Sequence, residues 1–179
     1  RHRRMRNRWQ RLFIIVTMLC LVDTLMVLGS EPNNRFIDFS LEDLHEIKYS
    51  QLHMKEKITL VILQSRTTLQ AAIDCKAELK KLIHENQKVQ IISIMDLRKR
   101  PPFVPKSVLK SKISAQDPTS REVPFLLDWN GDVTKALGGD DSKCKVLIVD
   151  PALNVVYNKE YKTTAIDSEI RPLLVKLSD

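Results

Sequence analysis

The sequence has 179 residues, of which 43% are hydrophobic and 28% are charged, so it fits one globular domain with a leader rather than a disordered chain. The net charge of +7 arises mainly at the N-terminus, where six arginines lie in the first eleven residues. Without them the chain has 23 basic and 22 acidic residues, a net charge of +1. The nearly neutral remainder argues against nucleic acid as a partner. The six arginines are Arg1, Arg3, Arg4, Arg6, Arg8 and Arg11.

An N-terminal leader precedes the expected domain. Residues 1–11 form a basic flank, residues 12–29 a hydrophobic segment, and residues 30–35 a polar linker to a domain over residues 36–179. The hydrophobic segment is either an uncleaved membrane anchor, with membrane lipid as a partner, or a cleaved signal peptide. Asp23 lies inside it, and a carboxylate within a span favours contact with a partner subunit. The basic flank predicts a cytoplasmic N-terminus and a domain across the membrane.

The first half of the domain contains a predicted strand–helix–strand unit. Phe36–Phe39 is expected to be a weak edge strand, and the serine and acidic residues of Ser40–His45 are typical of a helix start. The apolar runs Ile58–Leu63 and Val89–Met95 predict strands that are buried on both faces. The intervening helix, expected over Leu69–Glu85, makes these strands a parallel pair.

Apolar residues at helical spacing predict the buried side of that helix. Ala72, Cys75, Leu79 and Leu82 recur at intervals of three or four, which places Lys76 and Lys80 on other faces.

The second half of the domain is predicted to be a series of short elements joined by turns. A turn at Asp128–Gly131 and a hairpin turn at Asp150–Asn154 are indicated by their Asp, Asn, Gly and Pro residues. The final helix is expected to open at Ser168, with Pro172 in its first turn. The other expected elements are strands Val123–Leu127, Lys145–Val149 and Val155–Tyr161 and a short helix Asp132–Leu137.

Two segments are candidate binding surfaces. Backbone N–H groups at a helix start bind anions, so Arg66 with the hydroxyls of Thr67 and Thr68 could hold a phosphate or carboxylate. The alternative is a helix cap at Thr68 beside a solvated arginine. Between Leu97 and Gln116 no acidic residue occurs, and this stretch is either a solvated loop with a short helix or a docking surface for acidic lipid headgroups or a partner protein. Its basic residues are Arg98, Lys99, Arg100, Lys106, Lys110 and Lys112.

The cysteines and histidines do not form a metal or redox motif. The three cysteines are Cys20, in the leader, and Cys75 and Cys144, which are 69 positions apart. There is no CxxC pair and no Cys/His cluster with zinc spacing, so neither a metal nor a cofactor is expected. Cys75 and Cys144 are either core residues, a structural disulfide or reactive thiols.

The element order resembles that of thioredoxin-like proteins, which implies an α/β fold with a central mixed sheet flanked by helices. Three stretches carry the likeness: Ile58–Leu82 with its Cys-Lys-Ala-Glu-Leu ending, Pro124–Gly138 with Asp-x-Asn-Gly, and the hairpin from Lys145 to Tyr161. Together with Ser65–Thr68 and the missing CxxC, they resemble the YtfJ family of bacterial periplasmic proteins over residues 36–177. The resemblance implies a bacterial inner-membrane protein with a periplasmic domain, or a periplasmic or secreted protein if the leader is cleaved.

The resemblance also implies where a redox site would lie. Cys75 matches the second cysteine of the CxxC pair, so the nucleophile position falls on Ala72. Cys144 or Lys145 takes the place of the proline that faces the disulfide. The favoured hypothesis is therefore a redox-inactive accessory, assembly or structural subunit of a membrane complex. The alternatives are a thiol oxidoreductase using Cys75 and Cys144 and a small anion-binding periplasmic module.

Overall fold

The computed structural model of the protein describes residues 34–83 and 88–178. These residues form one seven-stranded mixed sheet in the order β2-β1-β5-β4-β3-β6-β7. The strands are β1 (Ser40–Asp43), β2 (Lys48–Ser50), β3 (Ile58–Ser65), β4 (Val89–Asp96), β5 (Phe125–Asp128), β6 (Lys145–Val149) and β7 (Val155–Glu160), and the helices are α1 (Leu69–Ile83), α2 (Lys106–Gln116), α3 (Asp132–Ala136) and α4 (Arg171–Ser178).

The predicted strand–helix–strand unit forms the centre of the sheet. β3 and β4 pair in parallel, with Ile58 opposite Val89 and Ser65 opposite Asp96. β5 continues the parallel part beside β4, whereas β6 and β7 add an antiparallel hairpin beside β3. Because β3, β4 and β5 run in the same direction, their carboxyl ends meet at one edge of the sheet.

The continuous apolar run in β3 is explained by burial on both faces of the sheet. Leu60 and Ile62 pack in a core with α1 and α4, while Val61 and Leu63 pack on the opposite face with Phe36 and other residues. Alternate side chains of a strand point to opposite faces, so a strand covered on both sides has no polar alternation. A third cluster joins Ile113 of α2 to the β4 and β5 residues Met95, Phe125 and Leu127.

Two expectations for the first segment are wrong. Ser40–Asp43 is a strand, not a helix start, because it pairs with β2 and β5, and the Asp43 carboxylate accepts hydrogen bonds from the N–H groups of His45 and Ile47 in the turn that follows. Residues 36–39 are not a strand. Phe36 and Phe39 are instead buried in an edge-to-face contact with their ring centroids 5.9 Å apart. Burial of these aromatic rings therefore decides the path of the chain here.

The observed turns and C-terminal helix agree more closely with the predictions from the sequence. Gly131 closes the turn after β5 at φ +74°, and a Cβ atom there would lie 2.8 Å from an Asp96 carboxylate oxygen, so glycine is required. The hairpin turn is closed by Asp150, whose carboxylate accepts the N–H of Asn154 at 2.7 Å. The C-terminal helix begins earlier than Ser168, with a π-helical turn over Ile166–Ile170 that leads into α4.

The leader lies outside the described residues. The basic flank, the hydrophobic segment with Cys20 and Asp23, and most of the linker therefore remain predictions. Across residues 34–83 and 88–178, no helix combines the length and the apolar character needed to span a membrane.

Candidate functional site

The carboxyl ends of the parallel strands bring polar residues to the edge of the sheet where ligands of α/β proteins bind. β3, β4 and β5 end at Ser65, Asp96 and Asp128, and all three residues are buried. Asp96 forms an ion pair with Arg98 at 2.6 Å, and Asp128 accepts hydrogen bonds from the turn and helix that follow β5. These two carboxylates are therefore occupied by groups of the same chain.

The segment before α1 holds a loop that comes from 76 residues further along the chain. The Ser65 hydroxyl donates to the carbonyl of Asp141 at 2.6 Å, and the Thr67 hydroxyl donates to the same carbonyl. Thr68 is buried, and its hydroxyl accepts the N–H of Ser65 at 2.8 Å. Of the three predicted anion-binding residues, Arg66 alone is exposed without a hydrogen-bond or ion-pair partner in the described chain.

The cysteine pair proposed from the resemblance lies inside the protein. Ala72 is fully buried at the fourth position of α1, so it is not an exposed helix-start position at which a nucleophile would stand. Cys75 is 0% exposed, and Cys144, directly before β6, is 5% exposed. Both are free thiols in the core between α1 and the sheet. Among the described residues before and at the start of α1, no cysteine occurs.

The two buried thiols lie in the same core cluster. The side-chain hydrogen bond with Cys144 and the burial of the group raise the pKa of Cys75 well above its usual range. The same hydrogen bond lowers the pKa of Cys144, and the nearby Lys76 ammonium also lowers it. The sequence predicted that the two cysteines could approach each other, and the fold places both in one core cluster.

We expect both thiols to resist alkylation in the folded protein, because a reagent reaches neither sulfur. Treatment with N-ethylmaleimide at pH 8 should leave Cys75 and Cys144 unmodified, and both should be labelled after unfolding in urea. Peptide mapping by mass spectrometry distinguishes them from Cys20. Rapid labelling of Cys144 in the native protein would contradict this prediction and would favour a reactive thiol.

The sequence places Lys76 outside the buried side of α1, but in the structure its side chain is buried as well. Its side chain is 0% exposed and pairs with the equally buried Asp117, which directly follows α2. The ammonium group also lies 4.9 Å from the centroid of the Phe125 ring. Burial lowers the pKa of Lys76, and the hydrogen bond from the ammonium to Asp117 opposes that shift. The pair ties α1 to the end of α2.

Most of the basic stretch is bound by the chain's own groups. Arg100 donates to the backbone carbonyl of Trp129 at 2.7 Å, and the Lys106 ammonium lies over the indole ring of Trp129. Lys112 has no such partner in the described residues and lines a cleft instead. The remaining three are ion-paired: Arg98 with Asp96, Lys99 with Asp141, and Lys110 with Glu46.

The cleft lies between α1 and α2 and has a volume of about 670 Å³. One wall is formed by the start of α1 and the other by α2, and the floor comes from residues that end or follow β4. Arg66 and Lys112 are its only charged residues in the described chain, and Gln116, at its rim, directly precedes Asp117. The remaining lining residues are Thr67, Leu69, Gln70, Ile73, Met95, Leu97, Pro101, Val104, Leu109 and Ile113.

The sequence did not indicate this cleft or the ion pair beneath it. Lys76 and Asp117 are 41 residues apart, and Arg66 and Lys112 lie on different elements. The signal that was available is the acid-free stretch from Leu97 to Gln116, which supplies one wall and part of the floor.

Comparisons with known proteins agree with the fold at low sequence identity. No protein-family model matches the sequence, and neither does any curated protein. Among solved structures, a Chlorobium tepidum protein assigned as thiol:disulfide interchange protein DsbE has a TM-score of 0.65 at 11% identity and covers 81% of this chain and 96% of its own. BsSco, a member of the Sco family of cytochrome c oxidase assembly proteins, has a TM-score of 0.58 at 17% identity, with 83% and 96% covered.

A third structure extends the agreement. The thiol-disulfide oxidoreductase from Bacteroides fragilis has a TM-score of 0.59 at 15% identity and covers 78% of this chain and 98% of its own. At these identities the likeness concerns the fold and not the activity. The parallel β3–β4 pair, the antiparallel β6–β7 hairpin and the helices over the sheet match the order expected from the sequence. The protein therefore has a thioredoxin-like α/β fold.

Proposed function

We propose that the protein is a membrane-anchored, redox-inactive member of the thioredoxin-like group that serves as an accessory, assembly or structural subunit of a membrane protein complex. The observation that carries this proposal is the position of the thiols. The segment directly before α1 holds Arg66, Thr67 and Thr68, while Cys75 and Cys144 lie in the core. A thiol reductant needs an exposed thiolate at this helix start.

Further support comes from the fold and the sequence. The same fold occurs in BsSco, which belongs to a family of cytochrome c oxidase assembly proteins. Asp23 in the hydrophobic segment favours a packed span over a simple tether. We propose a relation to the YtfJ family, and an inner-membrane location in a bacterium with the domain in the periplasm. A cleaved leader would instead release the domain into the periplasm.

Co-purification from solubilised membranes tests this proposal. The tagged full chain should bring down one or more membrane proteins in fixed stoichiometry. A Cys75→Ala/Cys144→Ala variant should retain them, because the thiols have no redox role, whereas Asp23→Leu should lose part of them. Recovery of the wild-type chain alone, or loss of all partners in the cysteine variant only, would contradict the proposal.

A thiol oxidoreductase is the second candidate, and the presence of the free thiols of Cys75 and Cys144 in one core cluster favours it. In this reaction the Cys144 thiolate attacks a small-molecule disulfide and releases one thiol, and the Cys75 thiolate then displaces the second. One S–S bond forms in the protein, the disulfide bond of the reagent is reduced to two thiols, and the two protein thiol protons go to the released thiolates. BsSco is described as having a disulfide switch.

Equilibration with reduced and oxidised glutathione distinguishes the two candidates. A redox-active pair would lose two hydrogen masses on oxidation and would regain them on reduction without unfolding. The redox-inactive proposal expects no change until urea is added. Cys75→Ser and Cys144→Ser are matched controls, since neither variant can form the intramolecular bond.

A further inference from the structure

The cleft between α1 and α2 combines an apolar lining with two cationic side chains. Its floor and walls are apolar, and the residues Leu69, Ile73 and Val104 line it with partly exposed side chains. A cavity of about 670 Å³ lies within the range of about 300–1,000 Å³ that is typical of ligand sites. It can therefore bury several apolar groups of a partner.

The charge of the cleft has one sign. Of the described residues that line it, none is acidic, and its two cations are Arg66 and Lys112. Both are exposed and neither has an ion-pair partner in the described chain, whereas the neighbouring Arg98, Lys99 and Lys110 are paired. The carboxylate of Asp74, one turn along α1, accepts the amide of Gln70 and does not line the cleft. A bound anionic group would be the first counter-charge for Arg66 and Lys112.

The rim also carries groups that suit a peptide backbone. The side-chain amides of Gln70 and Gln116 each offer a donor and an acceptor, and they lie on opposite walls, on α1 and α2. A hydrocarbon chain would use the apolar floor but would leave the Gln116 amide unused, together with the Gln70 amide groups that do not bond to Asp74. An extended peptide would use both, because its side chains alternate while its N–H and C=O groups point sideways.

We propose that this cleft binds an extended peptide segment of a partner protein that carries apolar side chains together with at least one carboxylate. This inference rests on the proposed function as a subunit and names the surface and the chemistry of the contact. Apolar side chains occupy the floor between α1 and α2, and the carboxylate pairs with Arg66 or Lys112. The buried Lys76–Asp117 ion pair ties α1 to the end of α2, the two helices that form the walls of the cleft.

Titration with designed peptides tests the proposal. The full chain is placed in nanodiscs of phosphatidylcholine, and empty discs supply the background. Three labelled ten-residue peptides alternate valine with glutamate, valine with lysine, or serine with glutamate. By fluorescence polarisation, the valine–glutamate peptide should bind about tenfold more tightly than either of the others, since each lacks one of the two required features.

Charge reversal then assigns the site. Arg66→Glu/Lys112→Glu should lower the affinity for the valine–glutamate peptide by about tenfold and should raise the affinity for the valine–lysine peptide. The matched control, Lys162→Glu/Lys176→Glu, reverses two exposed charges that do not line the cleft and should leave binding unchanged. Equal binding of all three peptides, or equal loss in both double variants, would overturn the proposal.

Two further outcomes separate the cleft from its alternatives. Sodium octanoate that binds with dependence on Arg66 and Lys112, while no peptide binds, would overturn the peptide assignment in favour of a fatty-acid-like ligand. If co-purified partners are all retained by Arg66→Glu/Lys112→Glu, the cleft inference fails and the subunit proposal stands. If the wild-type chain has no partners, the subunit proposal fails, and the peptide titration still decides the chemistry of the cleft.

Discussion

Replacing Lys76 by methionine is expected to lower the free energy of unfolding by about 3–5 kcal/mol, because it leaves the Asp117 carboxylate buried without its counter-charge. Both side chains are completely buried, and Asp117 also accepts the N–H and the hydroxyl of Thr119 at 3.0 and 2.6 Å. Methionine retains most of the volume, so the loss reports the charge rather than a cavity. Urea unfolding followed by circular dichroism measures the change.

A second ion pair on the same helix supplies the control. Lys80 pairs with Glu122 across the same two segments, but these side chains are 29% and 64% exposed. Lys80→Met should therefore cost no more than about 1 kcal/mol. Lys76→Met/Asp117→Asn should recover most of the loss, because no unpaired charge remains and asparagine can still accept from Thr119. Equal losses for Lys76→Met and Lys80→Met would show that the buried pair has no special weight.

Replacing Asp128 by alanine is expected to cost about 2–4 kcal/mol, because buried donors lose a charged acceptor. Asp128 is 2% exposed and accepts the N–H of Gly131 at 2.9 Å, with the N–H and hydroxyl of Thr134 at 2.7 and 2.9 Å. These bonds hold the turn after β5 to the start of α3. Without these bonds, the turn at Gly131, which packs against the Asp96 carboxylate, is no longer fixed to β5.

The adjacent carboxylate at Asp132 is the matched control for Asp128. It is exposed at the first position of α3, where an acidic residue stabilises a helix by less than about 1 kcal/mol. Asp132→Ala should therefore shift the urea midpoint only slightly, whereas Asp128→Ala shifts it strongly. Similar midpoints for the two variants would contradict the role assigned to the buried carboxylate.

The sequence predicted the elements whose signals are local. The apolar runs of β3, β4 and β6 and the Asp-Trp-Asn-Gly turn were confirmed, because strand burial and turn chemistry depend on nearby residues. The predicted helix start at Ser40–His45 was wrong, because the pairing of Ser40–Asp43 with β2 and β5 overrides a weak helix-start signal. The position predicted for Lys76, outside the buried side of α1, was wrong. Helical spacing does not show that the carboxylate of Asp117, from another segment, lies opposite it.

The candidate site shows the same division. From the sequence alone we could place Cys75 on the apolar side of α1, note that the start of α1 lacks a thiol, and identify the acid-free stretch beside it. Only the tertiary structure decided that Cys144 and Cys75 lie in one core cluster, that Asp117 pairs with Lys76, and that Arg66 and Lys112 share one cleft. Periodicity records how each element buries its own face, whereas contacts between distant residues depend on how the sheet and helices pack together.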